Sequence, residues 1–262
     1  IDGKVRPPAT YLDAEEILRR QLLAAVADPL ARDPGAPHPA RAAEAIGTTD
    51  PGSYLHAVIT TAEERPEITE AFLTGFPSLS DGARERLREW ARPTSGPGTS
   101  PLAHRLATAS HRWNRTVETL QRRRTEIQQQ LPGLEQRGAT PAASEDDQSA
   151  LRAARAAFKL AGKQLADLRG DYWIGVLEEH GLLPNYTLLD DSVSLDVSIS
   201  WIDPDTGDYE DEARDYSRAS AVALRDFAPG ATFYAGGYAI TIDAADLGYE
   251  GEAVQTYAFC AA

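Results

Sequence analysis

The chain has 262 residues, with 40 Asp and Glu against 26 Lys and Arg and a formal net charge of −14. That excess excludes a surface that grips nucleic acid over its whole extent, because phosphates are contacted by Lys and Arg; any DNA contact must be local. No apolar run approaches about 18 residues and no signal-peptide pattern opens the chain, so no membrane partner and a cytoplasmic location are expected, and the single cysteine, Cys260, excludes a disulfide framework.

Asp13, with Glu16 three residues on, reads as a capping box that starts a helix. Ile17, Leu18, Leu22, Val26 and Leu30 follow at helical spacing, and Asp33-Pro34 ends the run. Asp50-Pro51 reads as a second cap with proline at the first helical position, leading to Tyr54, Leu55, Val58 and Ile59 on one face. Short helices are expected over 67–74 and 80–90, completing a helical region over 1–92. The segment 93–101 carries prolines and glycines without apolar side chains to bury, and reads as a linker.

Beyond it Leu106, Trp113, Leu120, Ile127 and Leu134 recur every seven residues, with Ala109, Val117 and Leu131 between. A loop is expected from Pro132 to Ala143. A second run then follows: Leu151, Phe158, Leu165 and Tyr172, with Ala154, Ala161, Leu168 and Val176 between. Two narrow apolar seams of this kind are covered only by one another, so 102–180 is expected to fold as an antiparallel helical hairpin. His180-Gly181 supplies a helix end with glycine just past it, and Pro184 prevents continuation.

The period then changes to two. Val193, Leu195, Val197, Ile199 and Trp201 alternate with polar residues as a half-buried strand, and Asp203-Pro204-Asp205-Thr206-Gly207 turns the chain back through Tyr209. A short helix over 217–227 is expected to bury Ala221, Val222, Leu224 and Ala219. Phe233-Tyr234, a Gly236-Gly237 turn and Tyr238 to Ile242 make a hairpin, and 254–259 a closing strand. The fold class is α+β: a helical N-terminal part, a long antiparallel helical hairpin, then a small mixed β module over 181–262.

No phosphate loop, DEAD/DEAH box or arginine finger occurs in recognisable context, so the chain carries no ATPase machinery. The acidic run from Asp190 to Glu212 raises a metal-dependent hydrolase as a rival, but Gly207 and Asp208 break the calcium-loop pattern and a solvated turn is the plainer reading. Arg122-Arg123-Arg124 offers a phosphate contact, set against a solvated face: successive residues lie about 100° apart on a helix and cannot form one stripe. His104 and His111 are spaced too widely to grip a metal on one helix face.

Three stretches carry a resemblance. They are Gly181-Leu182-Leu183-Pro184-Asn185-Tyr186; Arg225-Asp226-Phe227-Ala228-Pro229-Gly230 with Tyr234 and Gly236-Gly237-Tyr238; and the helix from Tyr11-Leu12 through Glu15-Glu16-Ile17-Leu18-Arg19-Arg20-Gln21. In this order they resemble the C-terminal region of large DEAD/DEAH-box superfamily 2 helicases, the branch of MrfA-like repair helicases and of the DISARM-type defence helicase. The resemblance implies a parent that is an ATP-dependent DNA helicase using ATP and Mg, of which this chain is a non-catalytic accessory segment partnered by the remainder of the helicase and by DNA. It also implies a terminal zinc knuckle, with Cys260 as a possible first ligand and the others outside the chain. A chain that opens Ile1-Asp2-Gly3, lacks methionine and stops just after Cys260 is then expected to be a cut piece, its β module truncated before that knuckle. Candidate DNA contacts are Arg122, Arg123, Asn185, Tyr186, Arg218 and Arg225; Tyr186 either stacks on a base or belongs to the core. The alternative is a protein-interaction scaffold built on the helical hairpin, with no nucleic-acid role.

Overall fold

A computed structural model describes residues 13–138, 140, 143–184, 192–205 and 209–247. The expected closing strand over 254–259, with Cys260, lies outside the described residues, as do Tyr11, Leu12, Asn185 and Tyr186. The α+β class holds. Helices α1 (Glu15–Arg32), α2 (Ala42–Ile46), α3 (Tyr54–Glu64), α4 (Pro66–Thr74), α5 (Asp81–Ala91), α6 (Pro101–Gly138), α7 (Glu145–Gly170) and α8 (Trp173–Glu179) precede strands β1 (Ser192–Ile202) and β2 (Tyr209–Ala219). Helix α9 (Ser220–Asp226) and strands β3 (Thr232–Ala235) and β4 (Tyr238–Thr241) follow. Two compact units result, the first from residues up to 114 with 169–186, the second from 115–168 with the rest.

In the first unit, α1 buries Leu18, Leu22, Leu23 and Val26, and α3 buries Tyr54, Leu55, Val58, Ile59 and Ala62. Two caps differ from those expected. Ala14, not Asp13, is the N-cap of α1; Asp13 Oδ1 instead accepts from Ser80 N at 3.2 Å, tying the chain start to the entry of α5. Helix α3 starts at Tyr54 rather than beside Pro51, because Ser53 Oγ accepts from His56 N and satisfies a free donor of the first turn.

The segment 93–101 is organised by two side chains. Thr99 Oγ1 accepts from the amides of Thr94, Ser95 and Gly96, while Glu63 accepts from Gly98 N and Ser100 N. Ser100, fully buried, then accepts from Ala103 N and caps α6, with Pro101 at its first position. Leu102, Leu106, Ala109 and Trp113 of α6 are buried in this unit.

The helical hairpin forms. Arg124 stacks on Phe158, Glu135 accepts from Arg155 at 2.9 Å, and Gly138 sits against Leu151, so the partners ascend one helix as they descend the other. Each helix has one boundary that differs from expectation. Pro132 does not end α6; the helix runs on to Gly138, and this last turn and a half carries the Glu135 and Gly138 contacts to α7. Helix α7 stops at Gly170 instead of continuing through α8, since Asp171 O accepts from Ala42 N and Tyr172 forms a β-bridge with Arg41. Tyr172, expected in the seam, is therefore 65% exposed.

In the β module β1 and β2 pair antiparallel from Ser192↔Ala219 to Ile202↔Tyr209. Strand β2 reaches Ala219, so α9 begins at Ser220 and not Ser217. Its inward residue is Ala223, whereas Val222 is 40% and Leu224 81% exposed, which reverses the expected face. The reason is Phe227: with Ala223 it packs on Phe233 and Ile242, and the Phe227–Phe233 rings meet edge to face at 5.0 Å. Ala228-Pro229-Gly230 is the turn that brings Phe227 there. Ala231 N donates to Ala228 O, Gly230 has φ +86°, and Gly230 N donates to Ile242 O at 2.7 Å. Among the described residues no helix is long and apolar enough to cross a membrane.

Candidate functional site

Helix α8 ends in a Schellman motif: Leu182 N donates to Leu177 O at 2.8 Å and Gly181 N to Glu178 O at 2.9 Å. Gly181 takes φ +65°, and Leu182 is buried. This turn forms one wall of a cavity of about 40 Å³ whose other walls are Glu16, Arg19, Arg20 and Leu23 of α1, Trp90 of α5, and Arg105 and Leu106 of α6. The Glu15–Gln21 helix and the Gly181-Leu182 turn thus meet at one place in the first unit.

The electrostatics are unequal. Glu16 Oε1 accepts from Arg105 Nη2 at 2.7 Å and from Arg20 Nη2 at 3.4 Å, while Glu15 pairs with Arg19 at 2.6 Å and with Arg86 at 3.3 Å. Of these charged groups Arg19, Arg20, Arg105 and Glu16 line the cavity, three guanidinium groups to one carboxylate. Arg19 also lies over the Trp90 ring, 5.8 Å from its centroid. The Nε atoms of Arg19 and Arg20 are buried without a hydrogen-bond partner. Fully satisfied arginines would leave no such donors.

A second, larger cavity of about 200 Å³ in the same unit is lined by Glu63, Thr69, Glu70, Arg88 and Arg92. Its charges balance, and Glu70 and Arg88 already make a bidentate pair at 2.7 and 3.0 Å that holds the Glu70 carboxyl below its usual range. It offers a ligand less unspent charge than the arginine cavity.

Four of the six residues expected to touch DNA, Arg122, Arg123, Arg218 and Arg225, are described. Arg122, Arg123 and Arg124 are exposed on α6, with the Arg124 guanidinium over the Phe158 ring at 4.8 Å. Arg218 lies over Phe233 at 5.2 Å, and Arg225, 85% exposed, pairs with Asp226. Asn185 and Tyr186 lie outside the described residues. No group of three or more His, Cys, Asp or Glu side chains converges among the described residues. Asp203 Oδ1 accepts from Asp205 N, as in an Asx turn.

Lys163 of α7 faces the β ribbon. Asp196 and Asp215 oppose each other across β1 and β2; Gln164 Nε2 donates to Asp196 at 2.8 Å and Lys163 Nζ lies 3.6 Å from Asp215. Its pKa is raised by the hydrogen bond to Asp167, then by Asp215 and Asp196. This lysine offsets a like-charge pair that would otherwise destabilise the ribbon.

Sequence reasoning missed Arg105. Arg19 and Arg20 stand at i, i+4 from Glu15 and Glu16, so a local signal existed. Arg105 meets Glu16 across 89 residues of chain, and no local pattern reports that. No family model, no curated protein and no solved structure matches this chain.

Proposed function

We propose that this chain is a non-catalytic accessory segment of a large ATP-dependent DNA helicase or translocase, acting in the cytoplasm in DNA repair or phage defence. It braces the motor and helps guide a DNA strand, with the helical hairpin as a rigid spacer. The observation that supports this reading is the meeting of Arg20 with Gly181: stretches that resemble the helicase family separately are neighbours in space, at an arginine-lined recess of a chain of net charge −14. A third resembling stretch, Arg225–Gly230, supplies the Phe227 anchor and the turn of the β module. ATP, Mg and zinc belong, on this reading, to the parent, with Cys260 as a zinc ligand completed by residues elsewhere.

The test is direct. The purified segment shows no nucleotide turnover, and in fluorescence anisotropy it binds single-stranded DNA weakly, with affinity that falls steeply as salt rises. ATPase activity from the segment alone contradicts the reading.

The exposed stretch of α6 from Gln121 to Glu126, together with the negative net charge, favours a second reading, a protein-interaction scaffold. Light scattering separates the two: dimerisation without any DNA binding supports the scaffold.

A further inference from the structure

The arginine cavity has no role in the reading above beyond local positive charge. Its chemistry is more specific. We infer that the recess between Arg19, Arg20, Arg105 and Gly181 is a binding site for a single dianionic phosphate group, a phosphate monoester or free orthophosphate.

Charge comes first. Arg20 and Arg105 share Glu16, so a phosphate that takes the place of that carboxylate meets two guanidinium groups, which a dianion matches and a carboxylate or a diester half fills. Size comes second. A cavity needs about 10–15 Å³ by this measure for one water, so about 40 Å³ admits one compact oxyanion and excludes a base or a sugar. Geometry comes third. Arg20 Nη2 and Arg105 Nη2 arrive from different helices and lie 3.2 and 3.3 Å from the point where a Gly181 β-carbon would stand, so the donors converge because that residue has no side chain. Guanidinium forks from two directions suit an anion whose oxygens point several ways.

Glu16 is the internal competitor. Both of its bonds fall on one oxygen, Oε1, and the side chain is 48% exposed, so it can swing to solvent when a phosphate enters. The pocket therefore behaves as an arginine cluster held closed by its own carboxylate. A purely structural ion-pair network has the same contacts but no such exchange.

Isothermal titration of the full chain with orthophosphate, at constant ionic strength set with chloride, distinguishes these. Wild type binds saturably, Arg105→Gln binds about tenfold more weakly, the loss of one charged hydrogen bond, and Glu16→Gln binds several-fold more tightly. Arg105→Lys, which keeps charge and loses the fork, serves where Arg105→Gln does not fold, and it too binds more weakly. Absence of saturable binding to wild type, unchanged affinity in the arginine variants, or no gain in Glu16→Gln overturns the site.

Two further titrants identify the source. A short oligothymidylate with a 5′-phosphate that outcompetes its 5′-hydroxyl counterpart assigns the pocket to a strand end. Binding of orthophosphate without that preference assigns it to a small phosphorylated molecule. Neither outcome depends on the accessory-segment reading, which stands or falls on the ATPase and DNA measurements.

Discussion

Arg20 Nη2 stands 3.2 Å from the position a β-carbon on Gly181 would occupy, and Gly181 itself has φ +65°. A side chain at this turn meets both a left-handed backbone and a guanidinium wall. Gly181→Ala is expected to destabilise the chain by about 1–2 kcal/mol, mostly from the backbone term, because Arg20 and Arg105 have flexible ends that move aside. Gly181→Asn costs less, since asparagine tolerates this conformation. Denaturant unfolding of the three proteins gives the order Gly, Asn, Ala.

The β module rests on few side chains. Among the described residues Ala223, Phe227, Phe233 and Ile242 form one buried cluster of it, and Tyr216 meets Phe233 edge to face at 5.3 Å. Phe227→Ala removes the central ring and is expected to cost about 3–5 kcal/mol, enough to open a core this small. Hydrogen exchange reads it: the amides of Gly230 and Ile242, bonded to Ile242 O and Ala231 O, lose protection first.

Tyr54 gives an alkaline signature. Burial pushes its phenol from 10.0 up to about 12, and its ring meets Trp173 edge on at 5.3 Å. The folded state holds this proton more tightly than the unfolded chain. The stabilisation is whole below pH 10 and lost as pH rises from 10 towards 12. Phe at position 54 removes that part of the pH dependence, measured by unfolding at several alkaline pH values alongside phenolate absorbance.

Glu70 gives the acid counterpart. Its pKa is lowered, first by the hydrogen bond from Arg88, so its contribution is present above the ordinary value of 4.5 and lost as pH falls below it. Glu70 is 54% exposed, so solvent screening limits the pair to about 1 kcal/mol or less. A double-mutant cycle with Glu70→Gln and Arg88→Gln shows that coupling at pH 7 and its disappearance in acid.

Much of the fold was legible because it follows from periodicity. The seven-residue recurrence from Leu106 to Leu134 and from Leu151 to Leu165 foretold the hairpin, and the alternation from Val193 to Trp201 foretold β1. Strand β2 carried no such signal: Glu210-Asp211-Glu212 and Arg214-Asp215 are poor strand formers, and only in-register pairing with β1 makes them a strand. Of the site, Arg19 and Arg20 lay in a stretch worth quoting, and Gly181 was visible as a helix end.

Sequence alone determined which stretches become helix and strand and that two long helices face one another, since hydrophobic spacing acts over a few residues. Tertiary structure decided the rest. It turned α9 onto Phe227, ended α7 at an Asp171–Ala42 hydrogen bond, ran α6 past Pro132, and brought Arg105 to Glu16. Each of these depends on a partner distant along the chain, and a local pattern cannot encode an energy that exists only when two remote groups meet.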